Sequence, residues 1–298
     1  MEALNMEFVR YRLDKDDSLG GAHHRYIQPP QPGYFVTTVD KLGNMNVTPV
    51  TMGTCVAHKY FNFTLSNLFV KNWDQDEHPF TEGVKQGYCN LRETPECVIS
   101  YYGHALLRES WIMGMPVPKG ISEIDVAGLT PLPSEVVKPC GIAECPVNME
   151  AKVLHAHKLG KSWMNYTLEI VHISVHKDLD DQNRKGPMAG YGMTIIDPVF
   201  EILTGKGDTP ETNNFRLVYD RLDFSKIERC PEDVGCKDHW IGSFKQWLTD
   251  EQERGKLTAA EMSRALELES LWAANRDPVK NSEVKAELTA LLKKAVSL

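Results

Sequence analysis

"YFVTTVDKLGNMNVTPVTMGT", residues 34–54, holds two runs of period two around the tetrad Asp40-Lys41-Leu42-Gly43. That period marks strands, and a glycine ending a short loop supplies the positive φ that a hairpin demands. The stretch therefore reads as strand, tight turn, strand. After Pro49 the second strand runs into Thr51, Gly53 and Thr54, small residues that leave hydroxyls and backbone N–H groups available. Such groups form anion-binding nests without formal charge. Thr48, Thr51, Gly53 and Thr54, with Thr64 and Ser66 on a following strand and Lys85 at a turn, can line one pocket. Threonine also suits strands for its own sake, so the pattern alone leaves both readings open.

Working outward, the period of two persists from about residue 26 to 202. "KYFNFTLS" puts Phe61, Phe63 and Leu65 on one face and Tyr60, Asn62, Thr64 and Ser66 on the other. "GVKQGYCNLRETPE" (83–96) reads as a short helix or turn leading into the strand "CVISYYG". Pro116, Pro118, Gly120, Pro131, Pro133 and Pro139 then predict fixed turns rather than a continuous element. "PVNMEAKVLHAHK" and "SWMNYTLEIVHISVHKDL" make a long hairpin with its turn at Leu159-Gly160. Beyond about residue 203 the spacing becomes helical: Trp240, Phe244 and Trp247 share a face, and "TAAEMSRALELESLWAAN" opens with a Thr258/Glu261 capping box. Asp277-Pro278 predicts the cap and first residue of a last helix striped by Val284, Leu288, Leu291, Leu292 and Val296. The expected organisation is an N-terminal arm (1–25), a β domain (26–202) and a helical C-terminal extension (203–298), mainly β within the α+β class.

Composition excludes several classes of function. Lys and Arg number 33 against 41 Asp and Glu, a formal charge of −8 spread evenly along the chain, which does not fit a nucleic-acid-binding surface. No apolar run approaches the roughly 20 residues of a membrane span, and the opening "MEALNMEFVRYRLDKDDS" lacks the basic start and apolar core of a secretory signal. The expectation is a cytoplasmic protein without a membrane anchor. Seven cysteines, with no CxxC, read as reduced thiols.

Four histidines on the last hairpin, His155, His157, His172 and His176, invite a metal reading. With the turn at Leu159-Gly160, residue 155 falls opposite about 164 and residue 172 opposite about 147, too far apart along the strands to share an ion, so no metal is assigned. No GxGxxG, GxxxxGK[ST] or GxSxG occurs, so any phosphate must be held by strand ends and loops.

"VTTVDKLGNMNVTPVT", "KQGYCNLRETPECVISY" and "DVAGLTPLPSEVVKPCGIAECPVNMEAKVLHAHKLG" resemble the flavin reductase-like, FMN-binding split-barrel family, whose members run VTT-x-D-x-x-G-x-x-N-x-x-P-x-S, K-D-T-x-x-N-I and A-G-L-T-P-x-P-S. The resemblance spans about residues 26–200 and implies a homodimer of six-stranded split barrels with FMN near the dimer interface. Carried over residue by residue, it assigns flavin binding to Asn46, Thr48, Pro49, Val50, Thr51 and Met52, and the ribityl phosphate to Thr64, Ser66, Lys85, Gln86 and Gly87. Lys85-Gln86-Gly87 stands where the family has K-D-T, which loses a hydroxyl donor and keeps the cation. "GKSWMNY" replaces the G-D-H of many short NAD(P)H:flavin reductases. His104 and His157 are the candidate catalytic residues, with Ser110, Trp111 and Met113 as further candidates to line the open flavin face. The implied protein is a flavoprotein oxidoreductase that reduces flavin or another small acceptor with NAD(P)H. The alternatives are a flavoenzyme whose extension covers a pocket for a specific organic substrate, and a flavin electron carrier that docks to a redox protein partner.

Overall fold

The computed structural model describes residues 31–66, 85–159, 163–185, 199–202, 215–218 and 244–297. Its centre is a seven-stranded antiparallel sheet in the order β3-β2-β6-β9-β10-β5-β4, formed by β2 (Tyr34–Val39), β3 (Met45–Val50), β4 (Gly53–Ala57), β5 (Tyr60–Ser66), β6 (Glu96–Tyr101), β9 (Val147–Leu159) and β10 (Trp163–Val175). The resemblance implied six strands, and the short β4 beyond the Thr51–Met52 break supplies the seventh. The predicted β2–β3 hairpin is present, with Gly43 at φ +86° and Asp40 Oδ1 accepting the Leu42 and Asn44 N–H groups.

The Thr64 N–H donates to Met52 O at 2.8 Å, which stitches the chain leaving β3 onto β5 and joins the two ends of the sheet. Gly53 makes this approach possible: a Cβ there would lie 2.3 Å from Asn62 O and 2.3 Å from Tyr34 Oη. Inward-facing Tyr34, Val36, Val50, Phe61, Phe63, Leu65, Ile99, Tyr166 and Leu168 fill the barrel, and the edge-on contact of Tyr34 with Phe61, centroids 5.5 Å apart, is typical of packed aromatics.

Every residue of β2 is buried, because a second layer covers its outward face. That layer is the segment predicted as turns. It contains the 3-10 turn His104–Leu106, the short helices α2 (Leu107–Ile112) and α3 (Glu123–Ala127), and the paired bridges β7 (Pro131–Leu132) and β8 (Gly141–Ile142). Phe35, Val47, Tyr102, Leu107, Met113, Ile124 and Ile142 form the core between barrel and cover. Prolines punctuate this segment without preventing one-turn helices between them.

The C-terminal helices make a third layer: α5 (Phe244–Glu253), α6 (Ala259–Ala274) and α7 (Ser282–Ala295). Trp247, Leu248, Leu268, Trp272, Leu288 and Leu292 share one apolar core with Trp111, Ile112, Ile121 and Val126 of the cover. The Thr258/Glu261 capping box forms as expected. Asp277 does not cap α7; its carboxylate accepts the Val279 and Lys280 N–H groups of a turn, and the helix begins at Ser282 behind Asn281. The region past residue 203 is not purely helical either, since β12 (Phe215–Val218) pairs with β11 (Val199–Ile202), which pairs with β1 (Gln31–Pro32). Residues 1–30, and with them the N-terminal arm, lie outside the described residues, as does Trp240.

Candidate functional site

Antiparallel register sets Thr38 opposite Asn46 and Val36 opposite Thr48, so Thr38, Asn46 and Thr48 share the inward face near the hairpin end. Helix α1 (Gln86–Glu93) lies across them. Gly87 is the contact point: a Cβ there would sit 3.0 Å from Thr48 Oγ1 and 3.3 Å from Asn46 Oδ1. One turn on, Asn90 Nδ2 donates to Thr38 Oγ1 at 3.1 Å, while Asn90 Oδ1 and Thr37 Oγ1 are buried without a hydrogen-bond partner. Asn46, Thr48 and Gly87, assigned separately by sequence, are therefore brought together.

The cluster is braced from the cover layer. Glu123 Oε1 accepts from Asn46 Nδ2 at 2.7 Å and Oε2 from the Val47 N–H at 2.8 Å, a donor on the sheet-edge strand β3 that no neighbouring strand satisfies. With its amide held by Glu123, Asn46 presents Oδ1 to the Thr48 hydroxyl, which donates at 3.4 Å. Burial pushes the Glu123 carboxyl up to about 8 against the opposing pull of these donors.

The start of α1 is electropositive. Lys85 stands at the N-cap, no side chain caps the first turn, and no acidic residue lies in it. Gln86 Oε1 accepts the Gly120 N–H at 3.0 Å, tying the 116–121 segment to the helix start. Gly120, at φ +87°, packs under the Trp272 ring, and Trp272 Nε1 donates to Lys119 O at 2.7 Å. Burial pushes the Lys119 ammonium down against the opposing pull of Cys89, and Arg276 adds a smaller repulsion in the same direction as burial.

Pro49, Val50 and Thr51 are buried and Met52 is half-buried, its carbonyl used by Thr64. Thr64 belongs to a different face. Its Oγ1 accepts from Asn165 Nδ2 at 2.9 Å on the outward side of β5 and β10, where Asn62 also donates to Asn165 Oδ1. His157 pairs with Asn165 and is exposed, so it sits with Thr64 and away from the α1 cluster. Ser66 closes β5 and His104 opens the 3-10 turn; the side chains of both lie outside the described residues. Ser110, Trp111 and Met113 are buried in the packed layers rather than lining an open face.

The hairpin register also differs from expectation. His155 lies opposite Thr167 and His172 opposite Glu150, because Leu159 pairs with Trp163; the two irregularities between Thr167 and His172 cancel and leave both pairings in that register. His172 Nδ1 is 2.9 Å from Glu150 Oε1. Glu150 also accepts the N–H groups of Glu135, Val136 and Val137, and these bonds outweigh desolvation and hold its carboxyl below the usual range. The histidines thus serve separate neighbours.

The family model for the flavin reductase like domain matches residues 28–192. Among curated proteins, an uncharacterized protein of Aquifex aeolicus is 28% identical over 124 residues, covering 42% of this chain and 59% of the relative. YdfE of Bacillus subtilis, also uncharacterized, is 26% identical over 129 residues, covering 41% and 58%. The chain thus spans about three-fifths of the length of these relatives. Among solved structures, nitrilotriacetate monooxygenase component B from Bacillus cereus superposes with a TM-score of 0.54 at 20% identity, covering 72% of this chain and 98% of that one. The 2-nitrobenzoate 2-nitroreductase NbaA of Pseudomonas fluorescens gives 0.52 at 16% identity, covering 75% and 98%. At these identities the structural likeness concerns the fold.

Proposed function

Because the chain belongs to the flavin reductase like family, we propose that it binds FMN non-covalently and acts as an oxidoreductase, with NAD(P)H as electron donor and a flavin or another small molecule as acceptor. The observation that carries this reading is the uncapped N-terminus of α1. Lys85 stands at its cap, no side chain caps the first turn and no acid lies in it, and Gly87 is pressed onto Thr48 and Asn46, so this helix start suits a phosphate group. An orphaned buried donor nearby, Arg276 Nε, fits the same chemistry.

When bound, the isoalloxazine supplies the redox chemistry by accepting hydride or single electrons. The protein's part is to hold and orient. Lys85 and the first N–H groups of α1 hold the phosphate end; Glu123 fixes Asn46, which fixes Thr48, so the floor of the site is set before a ligand arrives. The Pro49–Met52 segment, which runs from the end of β3 through the Thr51–Met52 break before β4, offers a main-chain edge to the ring system.

We also infer a homodimer. β6 pairs with β9 only as far as Lys152, so among the described residues the edge of β9 from Leu154 to Leu159 is open, and Leu154, Leu159, Ile173 and Val175 are each at least 40% exposed on the same hairpin. An open edge that carries exposed Leu154 and Leu159, with Ile173 and Val175 exposed at the far end of the same hairpin, suits a second copy of the chain, and sedimentation should give twice the chain mass.

One observation favours a substrate-specific variant of this function: α5–α7 share their core with the cover segment whose Gly120 meets Gln86. Mixing the full chain with FMN and NADH or NADPH without air separates the readings. Bleaching of the flavin band supports a reductase. A flavin that stays oxidised until an organic substrate or redox protein is supplied supports the substrate-specific enzyme or the carrier.

A further inference from the structure

We infer that the C-terminal extension contributes Arg276, together with Lys119 of the cover segment, to the phosphate end of the flavin site. This rests on the FMN reading above and adds to it residues from outside the matched domain, which ends at residue 192.

Three contacts carry Arg276 and Lys119 to the start of α1. Gly120 donates to Gln86 Oε1, the first residue of that helix. Trp272, four residues before Arg276, packs on Gly120 and donates to Lys119 O. On the other side, Asn44 Nδ2 donates to Arg276 O at 3.1 Å, and Asn44 Oδ1 lies 3.3 Å from Lys285 Nζ. The backbone of residue 276 is thereby fixed between the β2–β3 hairpin and the loop bound to α1.

The guanidinium is left over by this arrangement. Arg276 is half-buried, and its Nε is buried with no hydrogen-bond partner. The neighbouring acids are engaged elsewhere: Asp40 binds Leu42 and Asn44, and Asp277 binds Val279 and Lys280. Among the described ion pairs none includes Arg276. A buried guanidinium donor without an acceptor is costly, and a second cation close enough to repel it adds to the cost. An anion offsets both. A phosphate monoester suits it best, because a planar fork of N–H donors matches its oxygens while the N–H groups at the start of α1 take others. Loss of the hydroxyl donor at Gly87, where the family has threonine, is compensated by a donor from the extension.

Two flavins that differ only in the phosphate make the test. FMN and riboflavin are titrated into the full chain and into Arg276→Met and Lys119→Met, with quenching of flavin fluorescence as readout and circular dichroism melting to show that each variant folds. The expected result is a loss of FMN affinity of about tenfold or more in Arg276→Met, a smaller loss in Lys119→Met, and unchanged riboflavin affinity in both. Equal losses for the two flavins, or unchanged FMN affinity in folded Arg276→Met, overturn the inference while the functional reading stands. A selective loss of NADPH over NADH affinity with FMN unaffected also overturns it, by assigning the cation to a dinucleotide phosphate. If the unaltered chain binds neither flavin, the functional reading itself fails.

Discussion

Glu123 and Asn46, 77 residues apart, meet at 2.7 Å through Oε1 and Nδ2, and the second carboxyl oxygen of Glu123 takes the N–H of the next residue, Val47. One buried acid therefore fixes both the edge of β3 and the floor beneath α1. Glu123→Ala strands two buried donors, and each should cost about 1–3 kcal/mol. Urea titration at neutral pH should show the summed loss.

The same residue predicts a pH dependence. Its folded-state value, about 8, lies above that of an exposed carboxyl, so between mildly acidic pH and 8 the folded chain keeps a proton that the unfolded chain has released. Stability from this group is therefore fully present at acidic pH and is lost as pH rises towards 8, at a limiting slope of roughly 1.4 kcal/mol per pH unit. Glu123→Gln should flatten that part of the curve. An identical slope in the variant would locate the titration elsewhere.

Gly53 tolerates no side chain, since its Cβ would meet the Asn62 backbone oxygen as well as Tyr34 Oη. Gly53→Ala should cost about 1–3 kcal/mol by overpacking and loosen the stitch between Met52 and Thr64. Amide hydrogen exchange at Thr64 should accelerate more than at β6. Tyr34→Phe, by contrast, removes a buried hydroxyl that has no partner and should leave stability unchanged or raised.

Trp272 joins the extension to the cover through a buried ring and through Lys119 O. Trp272→Ala should cost about 3–5 kcal/mol, the range for emptying a large aromatic site. Thr258→Ala, which removes one half of the capping box, should cost about 1 kcal/mol. Thermal melts of the two variants should therefore separate clearly.

Local signals carried most of the barrel. The Asp40–Gly43 turn, the alternation in β5 and the capping box at Thr258 depend on residues close in sequence, and the structure holds each of them. The site was legible only in part. Asn46, Thr48 and Gly87 emerge from the family pattern, and so does Asn90, which stands at the asparagine of K-D-T-x-x-N within "KQGYCNLRETPECVISY" and was not singled out. Glu123, Gly120, Lys119 and Arg276 carry no motif; their proximity to α1 depends on how three layers stack, which periodicity does not encode. His157 shows the converse, because strand parity put it on a face without saying which face the site would use.

The most direct test of the central claim is the visible absorption spectrum of the purified full chain after addition of FMN and removal of the excess, repeated with Lys85→Ala. A retained, stoichiometric flavin band in the unaltered chain, weakened in the variant, is the predicted result. No retained band, together with no quenching of FMN fluorescence at any protein concentration reached, would contradict the assignment of the α1 terminus as a flavin phosphate site.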